Sequence, residues 1–247
     1  MRIYDSAYEL ISEMGRNIWE MGTINKPKTY QNKNIEGNED YITKELICEQ
    51  YALVELPDPD NLFKYTHSRE WADKEFKERV NQEYVENPGN AWLDRKEVWE
   101  QFLNSEGEFD YTYGQRMIGA LNNIIYLLRS DFDTRKAVLP IFNGLKYDDT
   151  KYYDGSKRIP CSMYYDFLIR DNVKGGKQLN ITYHQRSSDF IVHFGNDVYL
   201  AWKLMLFVSN AVGVKPGYLY HTIDSIHVYK KDWDILKNSM KDYNVGY

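Results

Sequence analysis

Two short stretches hold residue types that could do chemistry together. In Gln185-Arg186-Ser187-Ser188-Asp189 a guanidinium is followed by two hydroxyls and a carboxylate. A planar N–H fork with neighbouring hydroxyl donors suits a phosphate-like anion. After Pro160, Cys161 opens a run in which Cys161, Met163, Tyr165, Phe167 and Ile169 alternate with Ser162, Tyr164, Asp166 and Leu168. A thiolate is a nucleophile, and a cation such as Arg186 placed beside it would favour that form. Each stretch has a plainer alternative: a surface turn leading into an Asn/Asp helix cap for the first, and an inert core cysteine for the second.

The elements that must hold these residues are legible from periodicity. Leu179, Ile181 and Tyr183 alternate with Asn180, Thr182 and His184, the period of a half-buried strand, and Arg186 leaves its end. Val198, Ala201, Leu204, Met205, Val208, Ala211 and Val212 then follow the spacing of one helical face, with Phe194-Gly195-Asn196-Asp197 at the helix mouth. The thiol run 161–169 reads as a second strand. Residues 5–21 read as a helix capped by Asp5 or Ser6, with Tyr8, Ile11, Met14, Ile18 and Met21 on its apolar face. A polar Gly/Pro/Asn-rich loop follows, and residues 41–64 show no clear period. Helix resumes at Ser68 and carries Glu70, Glu75 and Glu78, Asn87-Pro88-Gly89-Asn90 forms a turn, and 115–129 reads as one strongly apolar helix. Residues 130–143 read as a turn into a strand. Near the C-terminus His227 and Tyr229 lie two apart, so on one strand face.

The totals narrow the partners. The chain has 247 residues, a net charge of −6 and no basic tail or stripe, so a nucleic acid polymer is not an expected partner. There are two cysteines, Cys48 and Cys161, without CxxC or Cys/His metal spacing; a reduced intracellular chain without a metal is the expectation. The N-terminus lacks an apolar signal core and no stretch approaches a membrane span. These features point to the cytoplasm, that of a virus-infected cell included.

His184-Gln185-Arg186-Ser187-Ser188-Asp189, followed by a short loop and a helix, resembles the YQRS-x-D motif of the thymidylate synthase superfamily. Counted from the arginine of that motif, the family's base-reading Asn falls on Asp197, which resembles the dCMP hydroxymethylase branch, where Asp stands in its place. Pro160-Cys161 resembles the family's nucleophile, although Ser162 stands where thymidylate synthases usually have His. Glu75, between Trp71 and Phe76 on the helix from Ser68, fits the catalytic glutamate, with Glu70 and Glu78 as fallbacks. Val98-Trp99 and Tyr113-Gly114 resemble the family's IW-x-x-W and YG segments. Arg135 and Lys136 fall on a pair of arginines that crosses the dimer interface to hold the partner's phosphate. His227 and Tyr229 fall on the pair that holds the sugar hydroxyl. The Arg-Thr-Gly signature of the N-terminal loop is missing; Lys26 and Lys28 are the cations nearby. The final Tyr-Asn-Val-Gly-Tyr is a candidate for the segment that closes over folate.

The resemblance implies an α/β (α+β) fold spanning residues 1–247 as one domain: a large mixed sheet, helices packed on one face, and a homodimer through the other. It implies the chemistry as well. Addition of the Cys161 thiolate at C6 makes pyrimidine C5 enamine-like, so that C5 can attack the iminium form of 5,10-methylenetetrahydrofolate; water capture of the resulting exocyclic methylene gives hydroxymethyl, and hydride gives methyl. The implied roles are Cys161 as nucleophile, Glu75 as organiser of proton transfer and water, and Tyr113 beside the nucleophile. Arg186 and Ser187, with the partner's Arg135 and Lys136, would bind phosphate. Asp197 would read the base, His227 and Tyr229 the sugar, and Asp189 and Trp99 would contact folate. The expected activity is C5-hydroxymethylation of dCMP. Methyl transfer to dCMP or dUMP, a CMP hydroxymethylase and an inactive nucleotide-binding relative are the alternatives.

Overall fold

The computed structural model describes residues 1–173 and 175–243, the side chains of 239–243 excepted. Its strands are β1 (Arg2–Tyr4), β2 (Thr23–Asn25), β3 (Thr29–Tyr30), β4 (Lys33–Asn34), β5 (Thr43–Leu53), β6 (Val138–Pro140), β7 (Ser162–Asp171), β8 (Lys177–Gln185), β9 (Ser188–Asp189) and β10 (Lys215–Tyr229). Its α-helices are α1 (Ala7–Met21), α2 (Arg69–Val80), α3 (Lys96–Trp99), α4 (Tyr113–Met117), α5 (Ala120–Ser130), α6 (Gly195–Val212) and α7 (Trp233–Tyr243).

The main sheet is mixed, in the order β1-β5-β10-β8-β7-β6, with β2 added to β5 and β9 to β10. β8 and β10 are parallel because α6 carries the chain across between them, while β7–β8 and β5–β10 are antiparallel. Leu179, Ile181 and Tyr183 of β8 and Leu219 and Ile223 of β10 are fully buried on one face, under α1 and α6. Their alternates, including Tyr164, Leu168, Tyr218 and Tyr220, form a half-exposed face. The cross-strand pairs Tyr164–His184, Leu168–Asn180 and Tyr220–Thr182 show that these residues share that face. Among the described residues no helix is long and apolar enough to cross a membrane.

Several elements differ from the expectation. The helix over 115–129 is two helices, because Gly119 takes φ +75° and breaks the hydrogen-bond ladder between α4 and α5. In α1, Ser6 is the cap and Ala7, Leu10, Ile11, Met14 and Ile18 are buried, whereas Tyr8 and Met21 are exposed. The stretch 41–64 contains β5, a strand of 11 residues. Cys161 immediately precedes β7 rather than beginning it.

Gly195 is a helix position where a side chain has no room. A Cβ there would lie 1.8 Å from the Leu62 carbonyl oxygen. Gly195→Ala is therefore expected to cost about 1–3 kcal/mol by forcing the Leu62 backbone away from α6. Calorimetry measures this; an unchanged melting temperature would mean that the two segments do not pack so closely.

Candidate active site

A cavity of 440 Å³ opens where α2, the 84–114 segment, the Pro160-Cys161 turn, the end of β8 and the mouth of α6 meet. Cys161, Glu75, Tyr113, Arg186, Ser187, Asp189, Trp99, Asp197, His227 and Tyr229 all line it. Arg135 and Lys136 do not: both are exposed in the turn before β6. Lys26 and Lys28 also stand outside, and Lys28 pairs with Glu36 at 2.9 Å. Their loop contributes Thr29, Tyr30 and Gln31 to the wall instead. Of the final five residues, 244–247 lie outside the described residues.

The thiol and the arginine meet because β7 and β8 are neighbours. Arg186 donates its backbone N–H to the Cys161 carbonyl at 2.9 Å. Its Nε donates to the Pro160 carbonyl at 2.9 Å and Nη2 to that of Ile159 at 3.2 Å. Nη2 also lies 3.8 Å from Cys161 Sγ. A hydrogen-bonding cation beside sulfur is the setting in which a thiolate acts as nucleophile. Nη1 has no partner among the described residues and can meet an anion beside Ser187. Buried Ser162 bridges two phenols: its Oγ donates to the Tyr113 hydroxyl at 3.2 Å and lies 2.6 Å from that of Tyr183.

Three glutamates on α2 have three environments. Ser68 caps the helix through the Trp71 N–H, which sets its register. Glu70 is exposed. Glu78 accepts the backbone N–H groups of Asn90 and Ala91 at 2.7 and 2.8 Å and so holds a turn. Glu75 faces the cavity and accepts from Arg79 Nε at 2.7 Å. Arg79 in turn stacks on the Tyr113 ring at 3.9 Å. Its i,i+4 spacing from Glu75 is the available signal for this unforeseen residue.

Asp197 is not a helix cap. It lies in the first turn of α6, and its Oδ2 accepts from Gln185 Nε2 at 2.8 Å. Burial pushes its carboxyl up to about 6, opposed by Arg79 and the Gln185 bond. Asp189, by contrast, does cap: Oδ1 accepts from the Ile191 and Val192 N–H groups at 3.0 and 3.1 Å, starting a π-helical turn. Burial pushes Asp189 up to about 6 also. Burial holds His227 neutral, down to about 4, with Tyr229 edge-on at 5.0 Å between ring centroids.

The far wall is aromatic and basic. Trp99 packs against His193 at 5.7 Å and under the Arg158 guanidinium at 4.8 Å. Sequence alone gives no signal for His193 or Arg158, because no period or motif marks them. Asp189 Oδ2, Asn196 Oδ1 and Ser188 Oγ are buried without a hydrogen-bond partner among the described residues, and all three residues line the cavity.

The family model for thymidylate synthase matches residues 84–244. A putative thymidylate synthase of Methanosarcina barkeri is 30% identical over 164 residues, covering 62% of this chain and 70% of that protein. A deoxyuridylate hydroxymethyltransferase of Bacillus phage SP01 is 28% identical over 174 residues, 62% of this chain and 43% of that protein. Thermostable thymidylate synthase A from Bacillus subtilis shares the fold, with TM-score 0.74 at 14% identity over 96% of this chain and 84% of that one. The chain belongs to the thymidylate synthase family. That family transfers one-carbon units from methylenetetrahydrofolate to pyrimidine nucleoside monophosphates.

Proposed function

We propose that this protein is a dCMP C5-hydroxymethyltransferase. The observation that carries the reading is the Asp197 carboxyl, held by Gln185 in the cavity that contains the thiol. Uracil presents an N3–H donor and an O4 acceptor, which an amide complements. Cytosine presents an N3 acceptor and an N4 amino donor, which a carboxyl complements as acceptor towards N4 and, once protonated, as donor towards N3. A carboxyl at this position therefore favours cytosine. That family members can transfer hydroxymethyl is supported by the name of the phage relative, although that name specifies deoxyuridylate.

In this mechanism Cys161 Sγ adds to C6 of the pyrimidine and Arg186 steadies the sulfur. Arg186 Nη1 and Ser187 take the phosphate, His227 and Tyr229 the sugar. Trp99 and Asp189 would hold the folate, which would supply the one-carbon unit. Glu75 holds the water and the proton that move at C5. Its environment supports this over Glu70, which is exposed, and Glu78, which is engaged with a backbone turn. Glu75→Gln is expected to lower kcat about 10²–10⁴-fold while nucleotide affinity stays within a few-fold; single-turnover kinetics and calorimetric titration measure the two. Survival of activity in Glu75→Gln together with its loss in Glu70→Gln would reverse the assignment.

A single domain is supported by the continuous core that runs from Tyr4 to Leu236. The dimer pairs the half-exposed sheet faces, and Arg135 and Lys136 complete the partner's phosphate site. Arg135→Ala and Cys161→Ser, each inactive alone, are then expected to regain activity on mixing, since one hybrid site has both residues. Absence of recovery in a mixture proved by mass to contain hybrids would remove the crossing arginine.

The direct test is product mass from dCMP and from dUMP, each incubated with methylenetetrahydrofolate. A gain of CH2O on dCMP is expected. A gain of CH2 would make the enzyme a methyltransferase, and modification of dUMP alone would overturn the base reading.

A further inference from the structure

Behind Asp197 lies a buried chain of hydrogen bonds that the chemistry above does not use. Gln185 Nε2 reaches Asp197 Oδ2 at 2.8 Å, His221 Nε2 reaches Gln185 Oε1 at 2.9 Å, and the Tyr51 hydroxyl lies 2.8 Å from His221 Nδ1. Gln185, His221 and Tyr51 are each only 1% exposed. They come from three adjacent strands, β8, β10 and β5.

The sense of this chain follows from its ends. A carboxylate only accepts, so Gln185 must turn its amide N–H groups towards Asp197. Its carbonyl then faces His221, which must carry its proton on Nε2. Nδ1 is left as an acceptor, and Tyr51 donates to it. Burial, with His184 adding to it, pushes His221 down to about 3, so the ring stays neutral. Burial also pushes the Tyr51 phenol well up, so the hydroxyl keeps its proton. The opposite sense would leave the Tyr51 O–H without an acceptor among the described residues, and an orphaned buried donor is costly.

We propose that Tyr51 and His221 are positioning residues that act through Gln185 to reserve Asp197 Oδ2 as an acceptor, and thereby set which pyrimidine the enzyme takes. The proposal rests on the reading of Asp197 as the base-contacting group. A free carboxyl can present donor and acceptor in either order along its edge. With Oδ2 taking the Gln185 N–H, a proton on Asp197 is favoured on Oδ1, because a protonated oxygen is the poorer acceptor, and one order is preferred. On the cytosine reading that order puts Oδ1–H against N3 and Oδ2 against the N4 amino group. The reverse order, which would suit uracil, either leaves Gln185 bonded to a protonated oxygen, the poorer acceptor, or turns the whole chain and costs Tyr51 its acceptor.

The test compares wild type with Tyr51→Phe, a change that keeps the ring and deletes the hydroxyl. Each is given dCMP and dUMP with methylenetetrahydrofolate, and the ratio of the two kcat/KM values is read. Tyr51→Phe is expected to reduce discrimination between the bases about 10-fold, the factor that one orphaned buried hydroxyl accounts for. A merely structural role would lower the melting temperature and both kcat/KM values together; an unmoved ratio overturns the proposal. A second measurement needs no variant: ¹⁵N chemical shifts of the wild-type protein should show His221 protonated at Nε2 and bare at Nδ1. The other tautomer would also overturn it. Preference of the wild type for dUMP would sink the cytosine reading alone, and the relay would then be decided by whether Tyr51→Phe moves the ratio. If neither nucleotide is turned over, the same ratio is taken from equilibrium binding of dCMP and dUMP.

Discussion

Cys161→Ser is expected to abolish turnover, with kcat falling by about 10⁴–10⁶-fold while dCMP still binds within a few-fold of wild type. The loss follows from atom type alone. A serine hydroxyl is many orders of magnitude less ionised than a thiol near neutral pH, and one cation cannot make up that gap. Arg186 would keep its bonds to the Pro160 and Ile159 carbonyls, so the shape of the site would survive. Three readouts should fail together: product by mass spectrometry, tritium release from C5-labelled nucleotide, and a nucleotide adduct in the intact protein mass. Activity within tenfold of wild type would remove the nucleophile assignment and with it the covalent mechanism.

Asp197→Asn should move the enzyme from cytosine to uracil, changing the dCMP to dUMP ratio of kcat/KM by about 10³-fold or more. A site built to pair one polar edge rejects the other because its own buried groups are left unpaired. In the variant, uracil needs the amide N–H group in the Oδ2 place, against O4, and the carbonyl in the Oδ1 place, against N3–H; because an amide nitrogen does not accept, Gln185 must then turn its own carbonyl towards the new amide. The same substitution has a signature without substrate. Burial raises the Asp197 carboxyl from the ordinary range to about 6. A group with a raised folded pKa contributes stability that is present below its unfolded pKa and lost as pH rises through the folded value. Wild type should therefore lose about 1–3 kcal/mol relative to Asp197→Asn between about pH 4 and 7. Asp189 titrates in the same range, but it is present in both proteins and cancels in the comparison. Thermal melts of the two proteins across this range measure the difference; parallel curves would mean that Asp197 is better solvated than its burial implies.

The parts of the fold that are legible in the sequence share one property: their signal is local. The alternation of Leu179, Ile181 and Tyr183 and the helical spacing from Val198 to Val212 are each written within a few residues, and nearly all of these positions are buried as expected. β5 is hidden because its alternation is interrupted. Cys48 takes φ +57°, and just before it Ile47 is exposed while Leu46 is buried. The break at Gly119 is hidden because the apolar pattern continues across it.

The same division holds at the site. Residue types and spacing determined the strand–loop–helix that carries Arg186, Asp189 and Asp197, the strand that follows Cys161, and the shared face of His227 and Tyr229. All of these depend on separations along one short segment. Only the tertiary structure decided that Glu75 and Glu78 both face the thiol's cavity, that Glu78 is spent on a backbone turn while Glu75 pairs with Arg79, and that Glu70 is exposed. It alone decided that Asp189 spends one oxygen on a helix turn, and that Gln185, His221 and Tyr51 stand behind Asp197. Those are facts about burial and hydrogen-bond partners, which are set only when the segments are packed together, as Tyr51 and His221 are from 170 positions apart, and leave one another no water to turn to.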